Sequence, residues 1–391
     1  MKVAYEPLDA RYQQSQPPLD RQWLENALQA SLQNIDAMLP RFTTTFPAAC
    51  AINGRYPAVE KPDWSEGFWT GMLWLAWEVT GKDVYRQTAE RLQDHFALRL
   101  EQEIGVATHD LGFLYLLSCV NACRLTGNNR ARSLALAAAE RLYQRYNPTA
   151  GVIQAWGDLA DPQRQGRMII DCNLNLPLLF WAADETGETR YRKAAQRHLF
   201  QAARYLVRED ASTFHTFWMD IHSGAPRYGD THQGFSDSSC WARGQAWGIY
   251  GFALGFAHTG KPELAELSRR LAHYFLNRLP DDYVCYWDLI FTPQDNALRD
   301  TSATAITVCG MAELLRHLPL TDPLRPAYGN AIALMMRNLY QHYFARGEEG
   351  LLREGVYNFG RHSGINAASL WGDYFWLEAL VRLSRVWPSY W

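Results

Sequence analysis

The sequence predicts an all-α protein whose helices form an (α/α)6 barrel, and three observations support this prediction. Apolar segments of helical length alternate along the chain with amphipathic segments rich in Arg, Glu and Gln. Four of the apolar segments end at a Thr-Gly pair, and glycine is the usual residue just past a helix end. Six such alternations close into a double ring within a single domain, with an open helical solenoid as the alternative.

The amphipathic segments are expected to form the outer ring, because a helix with one polar side suits a solvent-facing position. Their predicted ranges are 20–39, 85–98, 130–146, 191–206, 263–279 and 326–343. A polar stretch with two adjacent prolines precedes the first of them. We therefore expect an N-terminal arm at 1–19, laid over the surface of a barrel domain at 20–391.

The apolar segments are expected to form the inner ring, as parallel helices whose N-termini meet at one end of the barrel. They begin at or near Trp64, Asp110, Asp171, Arg243, Asp300 and Asp373. We expect these six residues to surround one cavity mouth. The loops at 147–166, 210–240 and 281–298 are long and rich in glycine and aromatic residues, and we expect them to cover that mouth.

Composition and charge argue against several classes of protein. The net charge is -3 and there are no long charge runs, which disfavours nucleic acid and anionic membranes as partners. No apolar run reaches membrane-spanning length, and the first residues lack the apolar core of a signal peptide. The seven cysteines are scattered and odd in number, which is typical of reduced thiols. The expectation is a cytoplasmic monomer or weak homo-oligomer.

Two carboxylates at predicted helix openings are the candidate acid and base. Asp171 lies between three apolar residues and a long apolar run, where an unpaired anion would be costly to bury. A helix N-terminus lowers a carboxyl pKa. Burial and repulsion from Asp110 must outweigh that effect if Asp171 is to act as a general acid near neutral pH. A structural role as a helix cap is the alternative.

Aromatic residues beside Asp, His, Arg and Gln are typical of a sugar site, because rings stack on the apolar faces of pyranoses and planar polar groups bind the hydroxyls. On this fold, by analogy, they indicate a carbohydrate-active enzyme. Structural roles stay open: Trp64 and Trp156 as core aromatics, His232 as a residue that orients a two-stranded flap, and Arg243 as the partner of a catalytic carboxylate.

Six motifs resemble those of the unsaturated glucuronyl hydrolases, glycoside hydrolase family 88. They are Asp63-Trp-Ser-Glu-Gly-Phe-Trp-Thr-Gly, His109-Asp-Leu-Gly-Phe-Leu-Tyr, Gln154-Ala-Trp-Gly, Ile169-Ile-Asp-Cys-Asn-Leu-Asn-Leu-Pro, Thr231-His-Gln-Gly and Trp241-Ala-Arg-Gly-Gln-Ala-Trp-Gly. By this resemblance Asp171 is the general acid and base, and Asp110 is a second essential aspartate. The positions that match sugar contacts are Trp64, His109, Trp156, His215, Gln233, Arg243 and Trp247.

The resemblance also implies the chemistry. The substrate is a small acidic oligosaccharide, left by a polysaccharide lyase, whose non-reducing uronic acid has a C4–C5 double bond. Asp171 would protonate C4 and then help water to add at C5, and the resulting hemiketal would open and release the next sugar. Neither a metal ion nor an organic cofactor is expected.

Three other functions are weighed against this one. The first is a sister enzyme with the same chemistry that acts on unsaturated galacturonyl-rhamnose from pectin. The second is an inverting glycosidase, which needs its two carboxylates about 6.5–9.5 Å apart. The third is a non-catalytic sugar-binding barrel, which would not require both Asp110 and Asp171. The residues at 109–110 and 231–233 favour the glucuronyl enzyme. The resemblance is weakest at 354–370, so the preference for the sugar that is released stays open.

Overall fold

The fold is the predicted (α/α)6 barrel, described for residues 3–391 by a computed structural model. Twelve helices in that range alternate between two rings. The outer ring consists of α1 (Arg21–Met38), α3 (Asp83–Glu101), α5 (Asn129–Gln144), α7 (Thr189–Tyr205), α9 (Pro262–Leu276) and α11 (Arg325–Asn338). The inner ring consists of α2 (Glu66–Thr80), α4 (111–126), α6 (Pro177–Thr186), α8 (Ala242–Thr259), α10 (Thr301–His317) and α12 (Leu370–Ser384).

Burial explains why the two kinds of helix differ in sequence. In α8 every residue of the stretch 242–255 is buried, since this helix contacts neighbours on all sides. In α7 the buried residues follow one side of the helix only, as the amphipathic pattern predicts. The last inner helix, α12, packs against both α2 and α10. The inner ring is therefore closed, and the solenoid alternative is wrong.

The Thr-Gly pairs end four inner helices as predicted. Each glycine adopts the left-handed conformation, with φ between 65° and 75°, and donates its N–H to a carbonyl of the last turn. The glycines are Gly81, Gly127, Gly187 and Gly260. The hydroxyl of each preceding threonine donates to the carbonyl four residues earlier. The pair therefore satisfies carbonyls that a helix end would otherwise leave free.

Three small antiparallel sheets lie in the loops. One contains β1 (Tyr146–Asn147) and β2 (Val152–Ile153). A second, in the order β3-β4-β5, contains β3 (Arg167–Ile169), β4 (Thr216–Met219) and β5 (Pro226–Asp230). The third is the hairpin of β6 (Gly355–Asn358) and β7 (Ser363–Ala367). The predicted two-stranded flap is thus three-stranded, because β3 pairs with β4 on its way to Asp171.

The described part of the arm, 3–19, lies over the outer helices α9 and α11. The Tyr12 hydroxyl donates to the Leu276 carbonyl at 2.7 Å, and the Asn330 amide donates to the Tyr12 carbonyl at 2.9 Å. The division of the chain at residue 20 stays a prediction. All seven cysteines are free thiols. Within 3–391, every helix is too short or too polar to cross a membrane.

Tyr12→Phe should lower the free energy of unfolding by about 0.5–1.5 kcal/mol, because the Leu276 carbonyl would lose a buried donor while it keeps the one from Arg11. Denaturant unfolding followed by circular dichroism measures the loss. Tyr5→Phe is the matched control, since Tyr5 is 50% exposed. Equal losses in the two variants would show that the buried hydrogen bond does not hold the arm.

Candidate active site

A cavity of about 960 Å³ opens at the N-terminal end of the inner helices, at the upper end of the range of ligand sites. Seven of the predicted site residues line it: Trp64, Asp110, Trp156, Asp171, Gln233, Arg243 and Trp247. His109 and His215, also predicted, are fully or almost fully buried and lie outside its lining. The structure thus brings seven of the predicted residues together in one cavity and places two behind its surface, while their catalytic and binding roles stay predictions.

Two of the six predicted openings do not face the cavity. Asp300 is buried, accepts from the Ser302 N–H at the start of α10 and pairs with Arg243 at 2.7 Å. Asp373 is buried in the first turn of α12 and accepts from the Tyr56 hydroxyl at 2.9 Å. The prediction that all six surround the mouth is wrong for this pair, because each carboxylate is directed at polar groups inside the wall.

Asp110 and Asp171 lie close together, although they come from separate segments. Asp110 is the residue before α4, and Asp171 lies in a 3-10 turn, Ile170–Leu174, ahead of α6. The Nε2 of His109 lies 3.4 Å from Asp110 Oδ1 and 3.5 Å from Asp171 Oδ1. One atom from each of the three groups falls within 4.8 Å of the others.

Burial decides the charge of each group in this cluster. It lowers the pKa of His109 to about 3, helped by the positive charges of Arg145 and Arg167, so the imidazole is neutral. Burial raises the pKa of Asp110 to about 6, against a 2.7 Å hydrogen bond from the Thr108 hydroxyl. Burial and then the charge of Asp110 raise the pKa of Asp171 well above its usual range. Near neutral pH the two carboxyls therefore share one proton.

Arg243 is engaged with the protein itself. Its guanidinium donates to Asp300 at 2.7 Å, to the Val356 carbonyl at 2.6 Å and to the Tyr357 carbonyl at 2.7 Å. The group also lies over the rings of Trp241 and Trp371, at 4.4 and 5.1 Å. The suggestion that Arg243 pairs with a catalytic carboxylate is wrong, because its partner is Asp300. Arg243 holds the β6–β7 hairpin against the cavity.

Three tryptophans supply apolar surface to the cavity. Trp64 stacks on Trp371 at 5.1 Å and donates its indole N–H to the Tyr357 hydroxyl at 3.0 Å. Trp156 meets His232 edge-on at 5.1 Å. Trp247 is almost fully buried but still lines the cavity. Fixed aromatic surface beside polar groups is what a sugar ring requires.

Similarity to known proteins agrees with this geometry. Residues 34–354 match the model of Glycosyl Hydrolase Family 88. The unsaturated chondroitin disaccharide hydrolase of Streptococcus pneumoniae is 41% identical over 379 residues, covering 96% of this chain and 95% of the relative. The chain belongs to glycosyl hydrolase family 88. It is therefore a glycoside hydrolase, as the six sequence motifs indicate.

Solved structures match this family 88 enzyme over its whole length. The crystal structure of unsaturated glucuronyl hydrolase from Streptococcus agalactiae has a TM-score of 0.96 at 39% identity, covering 100% of this chain and 99% of the other. A mutant of the same streptococcal enzyme, complexed with dGlcA-GalNAc6S, has a TM-score of 0.89 at 37% identity, with the same coverage.

The two histidines of the β4–β5 region lie at different depths, since His215 is only 3% exposed whereas His232 lines the cavity. His215 Nδ1 accepts the N–H groups of His232 and Gln233 at 2.9 and 3.2 Å, so it orients the turn at 231–234. His232, which we considered as the orienting residue, lines the cavity. The sequence could not distinguish them, because the contact between His215 and the turn that contains His232 forms only when the chain folds back on itself.

Several cavity residues of this family 88 enzyme escaped the sequence analysis. Among them are Arg167, Trp218, Tyr357 and Arg361. The Arg167 guanidinium lies between Trp156 and Trp218, at 4.8 and 5.1 Å from their rings. Its position four residues before Asp171 was an available signal. Tyr357 and Arg361 lie in the hairpin whose contribution we left open.

The spacing of His109, Asp110 and Asp171 would also allow one cation to reach all three groups. Without a cation the pair of carboxyls retains a proton near neutral pH, and a cation that bound here would displace this proton. Asp110 Oδ2 accepts the Thr108 hydroxyl, while its Oδ1 faces His109.

Asp171→Asn should stabilise the folded protein at pH 8 by about 1–3 kcal/mol, because it removes a carboxyl whose pKa is raised by folding. A raised carboxyl pKa favours the fold at low pH and opposes it as pH rises, so the gain should vanish near pH 4. Calorimetric melting at both pH values measures it. Asp94→Asn, at an exposed ion pair, is the control, and a gain that does not depend on pH would refute the burial argument.

Proposed function

We propose that this family 88 enzyme removes the terminal unsaturated glucuronic acid from disaccharides that lyases release from glycosaminoglycans, with Asp171 as general acid and base. The single observation that supports it best is an Asp171 carboxyl that is only 15% exposed, at the wall of an aromatic cavity, and is kept protonated beside Asp110. The named activity of the 41% identical pneumococcal relative supports the choice of substrate.

The reaction begins with a proton transfer to carbon. The ring oxygen makes the C4–C5 double bond an enol ether, so Asp171 protonates C4 and positive charge spreads over C5 and the ring oxygen. The Asp171 carboxylate then takes a proton from water as the oxygen adds to C5. The hemiketal opens by breaking the bond from C5 to the ring oxygen, and the hemiacetal left at C1 releases the second sugar. One water molecule is consumed, and Asp171 regains its proton.

Asp110 serves as the charged neighbour in this scheme. Its anion repels a second negative charge on Asp171 and so keeps the acid protonated before each turnover. Neutral His109 faces both carboxyls but is too weak a base to remove a proton near pH 7, given its pKa of about 3. We therefore assign the two proton transfers to Asp171 alone.

The remaining cavity groups suit an acidic, hydroxylated ligand. Trp64, Trp156 and Trp247 offer ring surface to the sugar. Gln233 donates its amide N–H to the Tyr357 carbonyl at 2.7 Å, which leaves its side-chain oxygen as an acceptor for a hydroxyl. Arg167 adds a guanidinium that lines the cavity and whose Nε has no hydrogen-bond partner within 3–391, and such groups bind carboxylates well.

The alternatives are less well supported. An inverting glycosidase needs about 6.5–9.5 Å between its carboxylates, whereas the nearest oxygens of this pair lie within 4.8 Å. The sugar bound by the streptococcal mutant, dGlcA-GalNAc6S, favours a glucuronyl substrate over the galacturonyl-rhamnose of pectin. We also propose a cytoplasmic location, because free thiols are typical of reducing compartments.

Ultraviolet assays on unsaturated disaccharides from chondroitin, hyaluronan, heparin and pectin should show loss of the conjugated double bond, fastest with a glycosaminoglycan product. Asp171→Asn should reduce kcat by about 10²–10⁴-fold, the usual contribution of a general acid, with a melting curve that shows an intact fold. EDTA should leave the rate unchanged. Cleavage of saturated glycosides without loss of absorbance would reject the hydration mechanism.

The pH dependence of kcat/KM should be bell-shaped. The rate should rise as Asp110 ionises near pH 6, and it should fall at higher pH when Asp171 loses its proton. Steady-state rates between pH 4.5 and 9 measure both limbs. A rate that stays flat over this range would show that the pair does not share a proton in the way described.

A further inference from the structure

The segment that follows α12 folds back over the end of the barrel opposite the cavity. This segment, 385–391, covers the C-terminal ends of inner helices. The Arg124 guanidinium, in the last turn of α4, donates to the Tyr390 carbonyl at 3.1 Å, and the Trp387 indole donates to Glu78 Oε2, in the last turn of α2, at 3.2 Å. Its three aromatic side chains are at most 5% exposed. The segment is therefore a packed part of the barrel.

Trp391 occupies the axis of the inner ring. Its indole stacks on Phe375 of α12, with the ring centroids 5.8 Å apart, and meets Tyr250 of α8 edge-on at 6.2 Å. It also meets Phe113, in the first turn of α4, edge-on at 6.0 Å. The helices α4, α8 and α12 are alternate members of the six-helix ring. A side chain that contacts all three lies at the centre of the ring.

A buried acid holds the indole in this position. The indole N–H donates to Glu378 Oε2 at 2.7 Å, and Glu378 has no exposure to solvent. The other carboxylate oxygen accepts Arg382 Nε at 2.8 Å and the Tyr250 hydroxyl. Arg382 also donates to the Ser389 hydroxyl at 2.8 Å. One buried ion pair therefore holds both the Trp391 ring and the backbone that precedes it.

Phe113 connects Trp391 to the cavity. The Phe113 ring is fully buried and lies 5.6 Å from the ring of Trp64 and 5.4 Å from that of Trp247. Both of these tryptophans line the cavity. Protein interiors are close-packed, so a void beside one ring removes contacts that hold the next one. Trp391 is thus separated from the cavity lining by a single aromatic ring.

The carboxyl pair is held in a different way. The Phe113 N–H donates to Asn175 Oδ1 at 2.8 Å, just past the Asp171 turn. A Cβ atom at Gly112 would lie 2.3 Å from the Asn175 Cα, so α4 and this turn touch through their backbones. These contacts set the spacing of Asp110 and Asp171 without the Phe113 ring. A change that displaces the ring should therefore act on the tryptophans and leave the acid in place.

We propose that Trp391 is a positioning residue for the sugar site. Through Phe113 it holds Trp64 and Trp247 in the places where they meet the sugar. That these rings contact an unsaturated uronic acid rests on the proposed function. Their positions in the free protein do not depend on it and can be measured without a substrate.

Trp391→Ala tests this, with Trp387→Ala as the matched control. Both side chains are 5% exposed and donate an indole N–H to a glutamate, but the aromatic partner of Trp387 is Tyr390, at 4.8 Å. Trp391→Ala should raise KM for the unsaturated disaccharide about tenfold and lower kcat less than about twofold, because binding surface is displaced and the acid is not. Trp387→Ala should lower the melting temperature without changing KM. An unchanged KM in Trp391→Ala, or an equal rise in both variants, would overturn the proposal.

Trp391→Phe is the conservative variant. It keeps a ring beside Phe375 and Phe113 and loses the donor to Glu378, so KM should stay within about twofold of the wild-type value. If the alanine variant does not fold, Trp391→Leu replaces it. The leucine fills only part of the space and should raise KM more than phenylalanine does, and a wild-type KM in this variant would reject the positioning role.

The route through Phe113 has a test of its own. In Phe113→Leu the ring that connects Trp391 to the cavity tryptophans is already lost. Adding Trp391→Ala to this variant should raise KM by less than about twofold, because residues that act through one another are not additive. A second tenfold rise would show that Trp391 does not act through Phe113.

The ¹⁹F NMR spectrum of the free enzyme labelled with fluorotryptophan gives a readout without substrate. Trp64→Phe and Trp247→Phe assign two of its signals. Both signals should shift in Trp391→Ala and stay in place in Trp387→Ala, and unshifted signals in Trp391→Ala would overturn the proposal. Inactivity of the wild-type enzyme on every unsaturated sugar would instead refute the proposed function, and the spectra would still decide this inference.

Discussion

The fold holds two carboxyls so close together that only one of them is charged near neutral pH. Asp110 is buried and Asp171 is largely buried beside it, and a second negative charge in that environment costs far more than it would in water. One proton is therefore retained near neutral pH, on a residue type that normally loses it below pH 5. Such a pair lowers stability, and a protein keeps it only where the surrounding structure holds the groups in place.

The double ring supplies that rigidity. Parallel inner helices bring the turns before α4 and α6 to one end of the barrel, although about 60 residues separate them in the chain. The contact between Gly112 and Asn175 then fixes their spacing at the level of the backbone. The mobile elements of many sugar sites are loops, but here the β6–β7 hairpin is tied to the inner ring through Arg243. The outer helices and the arm act only by supporting this frame.

Features that depend on neighbouring residues could be predicted from the sequence, whereas features that depend on contacts between distant segments could not. Helix ends depend on neighbouring residues, so the Thr-Gly pairs located four of them correctly. Which of His215 and His232 lines the cavity depends on how the turn at 231–234 folds back, and sequence spacing does not show this. Asn175 stood within the Asp171 motif, yet its partner Phe113 is 62 residues away. Asp300 and Asp373 lie at the helix starts where the sequence predicted them, but their side chains contact groups inside the barrel wall and do not face the cavity.

Asp300 shows how a residue outside the cavity can sustain its chemistry. Arg243 lies near Asp171, and its positive charge lowers the pKa of that carboxyl. A free guanidinium there would favour the Asp171 anion and weaken the acid. Arg243 is paired with Asp300 at 2.7 Å and both are buried, so the negative partner opposes the effect of the guanidinium on Asp171. The enzyme can thus use an arginine to anchor its hairpin beside an acid that must stay protonated.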